Sequence, residues 1–170
     1  RNAYIEVFIQ LKKEEFFSKF CKRVPTAEER VRLLKALEMQ RHSLLMFTSC
    51  AWFFDDIGGI ETQQVLQYAA RVLQLARELG ASHFEKPFLE ILARAASNDS
   101  ALGDGHKIYE QFIRPSVIDI NRAAIHIGVM SLFHDKVPES RTYKYNVLDF
   151  FRSTLGNQTF LISTIEITSI

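Results

Sequence analysis

The sequence predicts a mainly α fold: a helical bundle of about four to five helices carrying a C-terminal β-hairpin. Three observations predict it. Helix-start signals and helix-spaced apolar residues recur from Thr26 to His134, Gly- and Ser-rich punctuation divides that stretch, and after Pro138 the apolar spacing changes to every second residue. The domain reading follows, with residues 1–138 as the bundle and 139–170 as the hairpin, which either begins a larger β-region or packs on the helices.

In chain order, Arg1 to Gln10 has no clear period and Lys13 to Lys22 reads as a short helix. Thr26-Ala-Glu-Glu29 is a capping box, in which the Thr hydroxyl takes a free amide while Glu29 reaches back to the cap. The helix it opens meets no Gly or Pro before Phe54 and is expected to end before Gly58-Gly59. A second helix runs from about Ile60 to Leu79, with Gly80 placed to end it, and Val65, Val72, Ala76 and Leu79 as its core face. Ser82-His-Phe-Glu85 reads as another capping box, opening a helix to about Ala96. The loop Ser97 to Gly105 leads into a last helix, about His106 to His134, kinked at Pro115. Tyr143, Tyr145 and Val147 then alternate with polar residues, and Gly156-Asn157 marks the turn to a second strand with Leu161, Ile165 and Ile167 on one side.

A chain of 170 residues can hold one domain with a real core, and 47% apolar against 24% charged residues is ordinary for a globular protein. A net charge of +1 sets up no field that would gather nucleic acid or an anionic membrane, so neither is expected as a partner. The most apolar run, Leu44 to Phe54, is about half the ~20 residues needed to cross a bilayer and reads as a buried core helix. Cys21 and Cys50 form no metal-ligand spacing, which suits reduced thiols in a cytoplasmic setting. The chain starts on Arg1 and stops on Ile170 inside a strand-like run, and reads as a piece of something longer.

Polar groups that break the apolar pattern are the candidate site. Along the first long helix, Val31, Leu34, Glu38, Arg41, Leu45, Thr48, Trp52 and Asp55 follow one another at spacings of three and four, so one stripe begins apolar and turns polar. Glu38 and Arg41 can pair at the wet edge of a bundle. Asp55 and Asp56 fall where a helix C-terminus disfavours carboxylates, so they need compensation. One of them can cap the following helix; alternatively both accept hydroxyls of a sugar stacked on Trp52. Adjacent helical residues point about 100° apart, which argues against an opposed acid and nucleophile. Glu61 and Tyr68 project near the core side of the second helix. Asp119, Arg122 and His126 form a weaker line in the last one. No histidine or cysteine cluster indicates a metal, and no phosphate loop or nucleophile elbow indicates a cofactor or catalytic centre.

The run LEMQRHSLLMFTSCAWFFDDIGGIE, Leu37 to Glu61, together with Gln67-Tyr-Ala-Ala70, Ile108-Tyr-Glu110, Pro115 and Ser131-Leu-Phe133, resembles domain of unknown function 3536. That domain follows a catalytic barrel similar to glycoside hydrolase family 57, whose members act on α-glucans. The resemblance extends from Tyr4 to the hairpin. It implies the helical part of a larger carbohydrate-active protein, with a family-57-like barrel as partner and an α-glucan or other oligosaccharide as ligand. The catalytic carboxylates then belong to the barrel, so this chain alone is expected to hydrolyse nothing. In family 57 the helical domain walls the sugar cleft partly through a Ser-Asp-Trp-x-Phe-like segment. Here Trp52-Phe-Phe54 matches the Trp-x-Phe, while Cys50 and Ala51 replace the polar pair. The implied substrate-binding set is Trp52, Asp55, Asp56, Glu61, Arg41, Thr48 and Tyr68, with Asp119, Arg122 and His126 behind it. The rival expectation is a module that only docks onto the barrel.

Overall fold

Thr26 opens its helix as the capping box requires: its hydroxyl accepts from the Glu29 amide at 3.3 Å, and Glu29 accepts from the Thr26 amide at 2.9 Å. The computed structural model describes residues 3–5, 7, 13–134 and 143–169, the side chains of Cys50, Trp52 and Ser169 excepted. In those residues the fold is mainly α with a C-terminal antiparallel hairpin. They form two units, 1–117 and 118–170.

The first unit contains α1 (Lys13–Phe20), α2 (Ala27–Leu45), the short α3 (Cys50–Phe53), α4 (Ile60–Glu78), α5 (Glu85–Leu92) and the short α6 (Gly105–Ile108). A helix running unbroken to Phe54 is not what forms. The chain leaves α2 at Met46, where the Phe47 and Thr48 amides turn back to carbonyls three residues earlier, and Thr48-Ser49 are weak helix formers. The polar stripe is therefore interrupted before Trp52 and Asp55.

Gly80 ends α4 as expected. With φ of 94° it lets its own amide reach Arg77 O and the Ala81 amide reach Ala76 O, which satisfies carbonyls the last turn would leave open. The buried face of α4 differs from the expected one: Leu66, Ala69, Ala70, Gln74, Leu75 and Ala76 are buried, whereas Val65 and Val72 are only partly so. Leu66 and Ala70 meet Ile108, Tyr109 and Ile113 in the larger core cluster, while Phe16, Phe17 and Val7 form a smaller one against Leu33, Leu34 and Leu37 of α2.

The expected capping box at Ser82 does not form, because residues 82–84 make a 3₁₀ turn and α5 starts at Glu85 with no side-chain cap. Asp104 caps α6, accepting from the Lys107 amide at 2.9 Å. After α6 the chain widens into a π-turn, Tyr109–Ile113, tightens to a 3₁₀ turn, Arg114–Ser116, and becomes extended at Val117. The long last helix is thus divided, since Pro115 offers no amide to continue it.

The second unit opens with α7 (Ile120–Phe133), which packs on β2 (Gln158–Ser169) of the hairpin and more lightly on β1 (Tyr143–Leu155). The strands pair from Tyr143↔Ser169 to Leu155↔Gln158 with one bulge between Val147 and Asp149. Gly156, at φ of 61°, makes the two-residue turn possible. No single helix among the described residues is long and apolar enough to cross a membrane.

Candidate functional site

The apolar run at the end of α2 is not buried. Phe53 is 82% exposed and Phe47 71%, and Leu44 and Phe54 are half exposed, so these four side chains present an apolar, mostly aromatic edge to solvent. The backbone of Trp52 lies in α3; its side chain falls outside the described residues, as do any contacts of that indole.

The two aspartates beyond this edge do different things. Asp56 folds inward: its Oδ1 accepts from the Ser97 hydroxyl at 2.9 Å and the Asn98 amide at 2.8 Å, and its Oδ2 accepts from the Gly58 amide at 3.0 Å. The Asn98 amide above all, aided by Ser97 and Gly58, holds this carboxyl below the usual aspartate range. Asp56 is thereby a latch between the α3–α4 turn and the loop before α6, and its oxygens are already occupied. Asp55 holds that same loop only through its carbonyl, which accepts from the Asn98 side-chain amide at 3.3 Å, and its carboxylate is exposed. Glu61 and Thr48 are partly buried, one in the first turn of α4 and the other in the turn after α2. The exposed groups of this stretch are Phe47, the Phe53–Phe54 ring pair with centroids 5.2 Å apart, and Asp55 next to it in the chain.

Arg41 and Tyr68 belong to a separate polar cluster on the α2–α4 seam. Glu38 is its hub. Arg41 Nε donates to both Glu38 oxygens at 3.1 and 3.0 Å and its Nη2 to Oε1 at 2.5 Å, Tyr4 donates to Oε2 at 3.1 Å, and His42 Nε2 lies 3.1 Å from Oε1. The Tyr68 ring of α4 faces the His42 ring with centroids 5.8 Å apart. Burial pushes the Glu38 carboxyl up, but the Arg41 hydrogen bonds and charge outweigh it and leave the group below its ordinary value. Burial, then the Glu38 charge, pushes the Tyr4 phenol up to about 12. The Glu38–Arg41 pair is partly buried and shared between three segments, not an isolated surface pair.

Tyr4 and His42 carried no sequence signal for this role. Tyr4 sits in a stretch without clear periodicity, and His42 has no partner at four-residue spacing except a glutamate, a pairing so common on helices that it says nothing alone.

Asp119, Arg122 and His126 do not converge. Asp119 is the N-cap of α7, accepting from the Arg122 amide at 2.9 Å, and the side chains of Arg122 and His126 are exposed. A groove of about 770 Å³ between α5, α6 and the 3₁₀ turn at Arg114 is lined by Glu85, Lys86, Leu89, His106 and Arg114. Its charges already meet partners: Arg114 is bound by Glu85 at 3.0 Å and Glu110 at 2.7 Å, and Lys86 lies 4.0 Å from Glu90. Among the described residues no three His, Cys, Asp or Glu side chains group as metal ligands.

No curated protein and no solved structure matches the chain. The family model described as "Domain of unknown function (DUF3536)" matches residues 1–170. The features that carried the sequence resemblance, the aromatic edge at 47–54 and the Asp55-Asp56 turn among them, lie within that match, and the chain belongs to the DUF3536 family.

Proposed function

We propose that this chain is the helical, non-catalytic portion of a family-57-like glycoside hydrolase or glucan transferase, and that it walls the sugar cleft of a barrel domain. The observation that carries the reading is the exposure of Phe47, Phe53 and Phe54 beside the exposed carboxylate of Asp55. Aromatic rings offer a face to the C–H surface of a sugar, and a carboxylate accepts its hydroxyls. The likeness of Trp52-Phe-Phe54 to the cleft-walling segment of family 57 supports assigning this edge to the barrel side. Catalysis is left to the barrel.

One observation favours the alternative, a module that docks on the barrel without touching sugar: the Asp56 oxygens are already engaged within the unit. The two readings separate in the full-length protein. Trp52→Ala and Asp55→Asn are each expected to weaken maltooligosaccharide binding by isothermal titration while leaving the melting temperature unchanged. Unchanged affinity in both, with the fold intact, rejects sugar contact; if Phe53→Ala then loosens the protein without altering affinity, the docking reading stands.

A further inference from the structure

The Glu38 cluster has a property that neither reading uses. His42 Nδ1 is buried without a hydrogen-bond partner among the described residues, while Nε2 sits 3.1 Å from both Glu38 Oε1 and Arg41 Nη2. We propose that His42 is an acid-sensitive clasp, whose neutral imidazole closes the α2–α4 seam and whose protonation loosens that seam together with the Tyr4 contact.

Of the two neutral tautomers, the Nε2–H form alone leaves no buried N–H at Nδ1, and Arg41 Nη2 then gives its hydrogens to Glu38 and not to the ring. With the proton on Nε2 it donates to Glu38, and Nδ1 carries only a buried lone pair. Protonation adds an N–H at Nδ1 that meets no acceptor there, and an unmet buried donor is costly. It also adds positive charge beside cations. Among the described residues, the titratable and charged groups facing the ring are Glu38 and Arg41 from α2, Tyr68 and Arg71 from α4, and Tyr4 through Glu38. Glu38 is the one anion of that set, and it is already bound by Arg41 and Tyr4. Arg71 donates to Gln74 Oε1, three residues on in the same helix, at 2.6 Å. Burial first, then the Arg41 charge, lowers the His42 pKa against the opposing pull of Glu38.

The sign follows. A histidine whose folded value lies below its unfolded value of about 6.5 contributes stability that is complete above that pH and is lost as pH falls through the folded value. Glu38 is lowered as well, but its contribution starts to be lost only below the ordinary glutamate value of about 4.3, so the histidine loss begins at the higher pH.

The test is hydrogen–deuterium exchange on the full-length protein between about pH 7.5 and about 5.5, corrected for intrinsic rates and read at peptides covering α2 and the Tyr4 segment. Protection there is expected to fall with pH in the wild type and to stay level in His42→Gln, which keeps a donor to Glu38 but cannot titrate. Arg71→Gln retains the histidine and removes a facing cation, so it is expected to shallow the fall. Wild-type protection that does not change with pH overturns the clasp, as does a His42→Gln slope equal to the wild type. Should His42→Gln not fold, an Arg71→Gln slope equal to the wild type overturns it.

Discussion

The Ser97 hydroxyl donates to Asp56 Oδ1 at 2.9 Å, joining the turn before α4 to a loop that lies 41 residues further along the chain. This bond, with the Asn98 amide beside it, fixes where the aromatic edge stops and α4 begins.

Asp56→Ala is therefore expected to lower the melting temperature and to raise amide exchange at Asn98, while Asp55→Ala does neither. The dependence on pH is set by the depressed Asp56 value: the latch is complete above the ordinary aspartate value of about 3.9 and is lost as pH falls through the folded one. Thermal melts of both variants from neutral pH down into the acid range check this, and equal behaviour of the two variants would refute the division of labour.

Gly58 lies against the same latch. A Cβ built there would come 2.5 Å from Leu102 Cδ1 and 2.8 Å from Asp56 Oδ2. Gly58→Ala is expected to cost about 1–3 kcal/mol by overpacking, and its effect should not add to that of Asp56→Ala because both disturb one contact. A double-mutant cycle by chemical denaturation measures the non-additivity.

Thr26→Ala should cost about 1 kcal/mol, the usual worth of a helix N-cap. Glu29, bound by Arg23 and by the Thr26 amide, is lowered to about 2. Its contribution is complete above about 4.3 and disappears as pH falls toward that lower value, so Glu29→Gln should flatten the acid limb of the stability profile. Melting curves collected between about pH 5 and about pH 2 test the slope.

Burial, and not the number of atoms removed, separates two apolar truncations. Ile108 is fully buried in the larger core cluster, and Ile108→Ala is expected to cost about 2–5 kcal/mol. Phe53→Ala, at an exposed position of the aromatic edge, should remain within about 0.5 kcal/mol of the parent in a setting where nothing covers that edge. Urea denaturation of the two variants side by side is decisive.

The elements with local chemistry are legible in the sequence. Thr26 and Glu29 announced a helix start, Gly80 a helix end, and the turn at Gly156-Asn157 a hairpin, because each depends on a few neighbouring residues. What failed depends on distant parts of the chain. The run from Leu44 to Phe54 is apolar enough for a core, but exposure is decided by what packs over it, and composition cannot report that. Ser82-His-Phe-Glu85 has the residues of a capping box, yet the chain arriving from Gly80 turns Ser82 into a 3₁₀ segment. The Asp56 latch could not be read either, since its partner loop is remote in sequence. Arg41 stands out on the polar stripe of the first long helix and Tyr68 on the core side of the second, whereas their companions Tyr4 and His42 emerge only when α2, α4 and the N-terminal segment are placed together.

The hairpin carries a practical consequence. At about 3.3 Å per residue its strands form a ribbon roughly 40 Å long. Leu148, Phe151, Leu155 and Ile162 are exposed along it, and among the described residues both outer edges lack a neighbouring strand. Such a ribbon is a template for edge-to-edge association. In a solution of this chain alone, the apparent melting point would then rise with protein concentration, and solubility would be governed by the ribbon more than by the near-neutral charge of the whole.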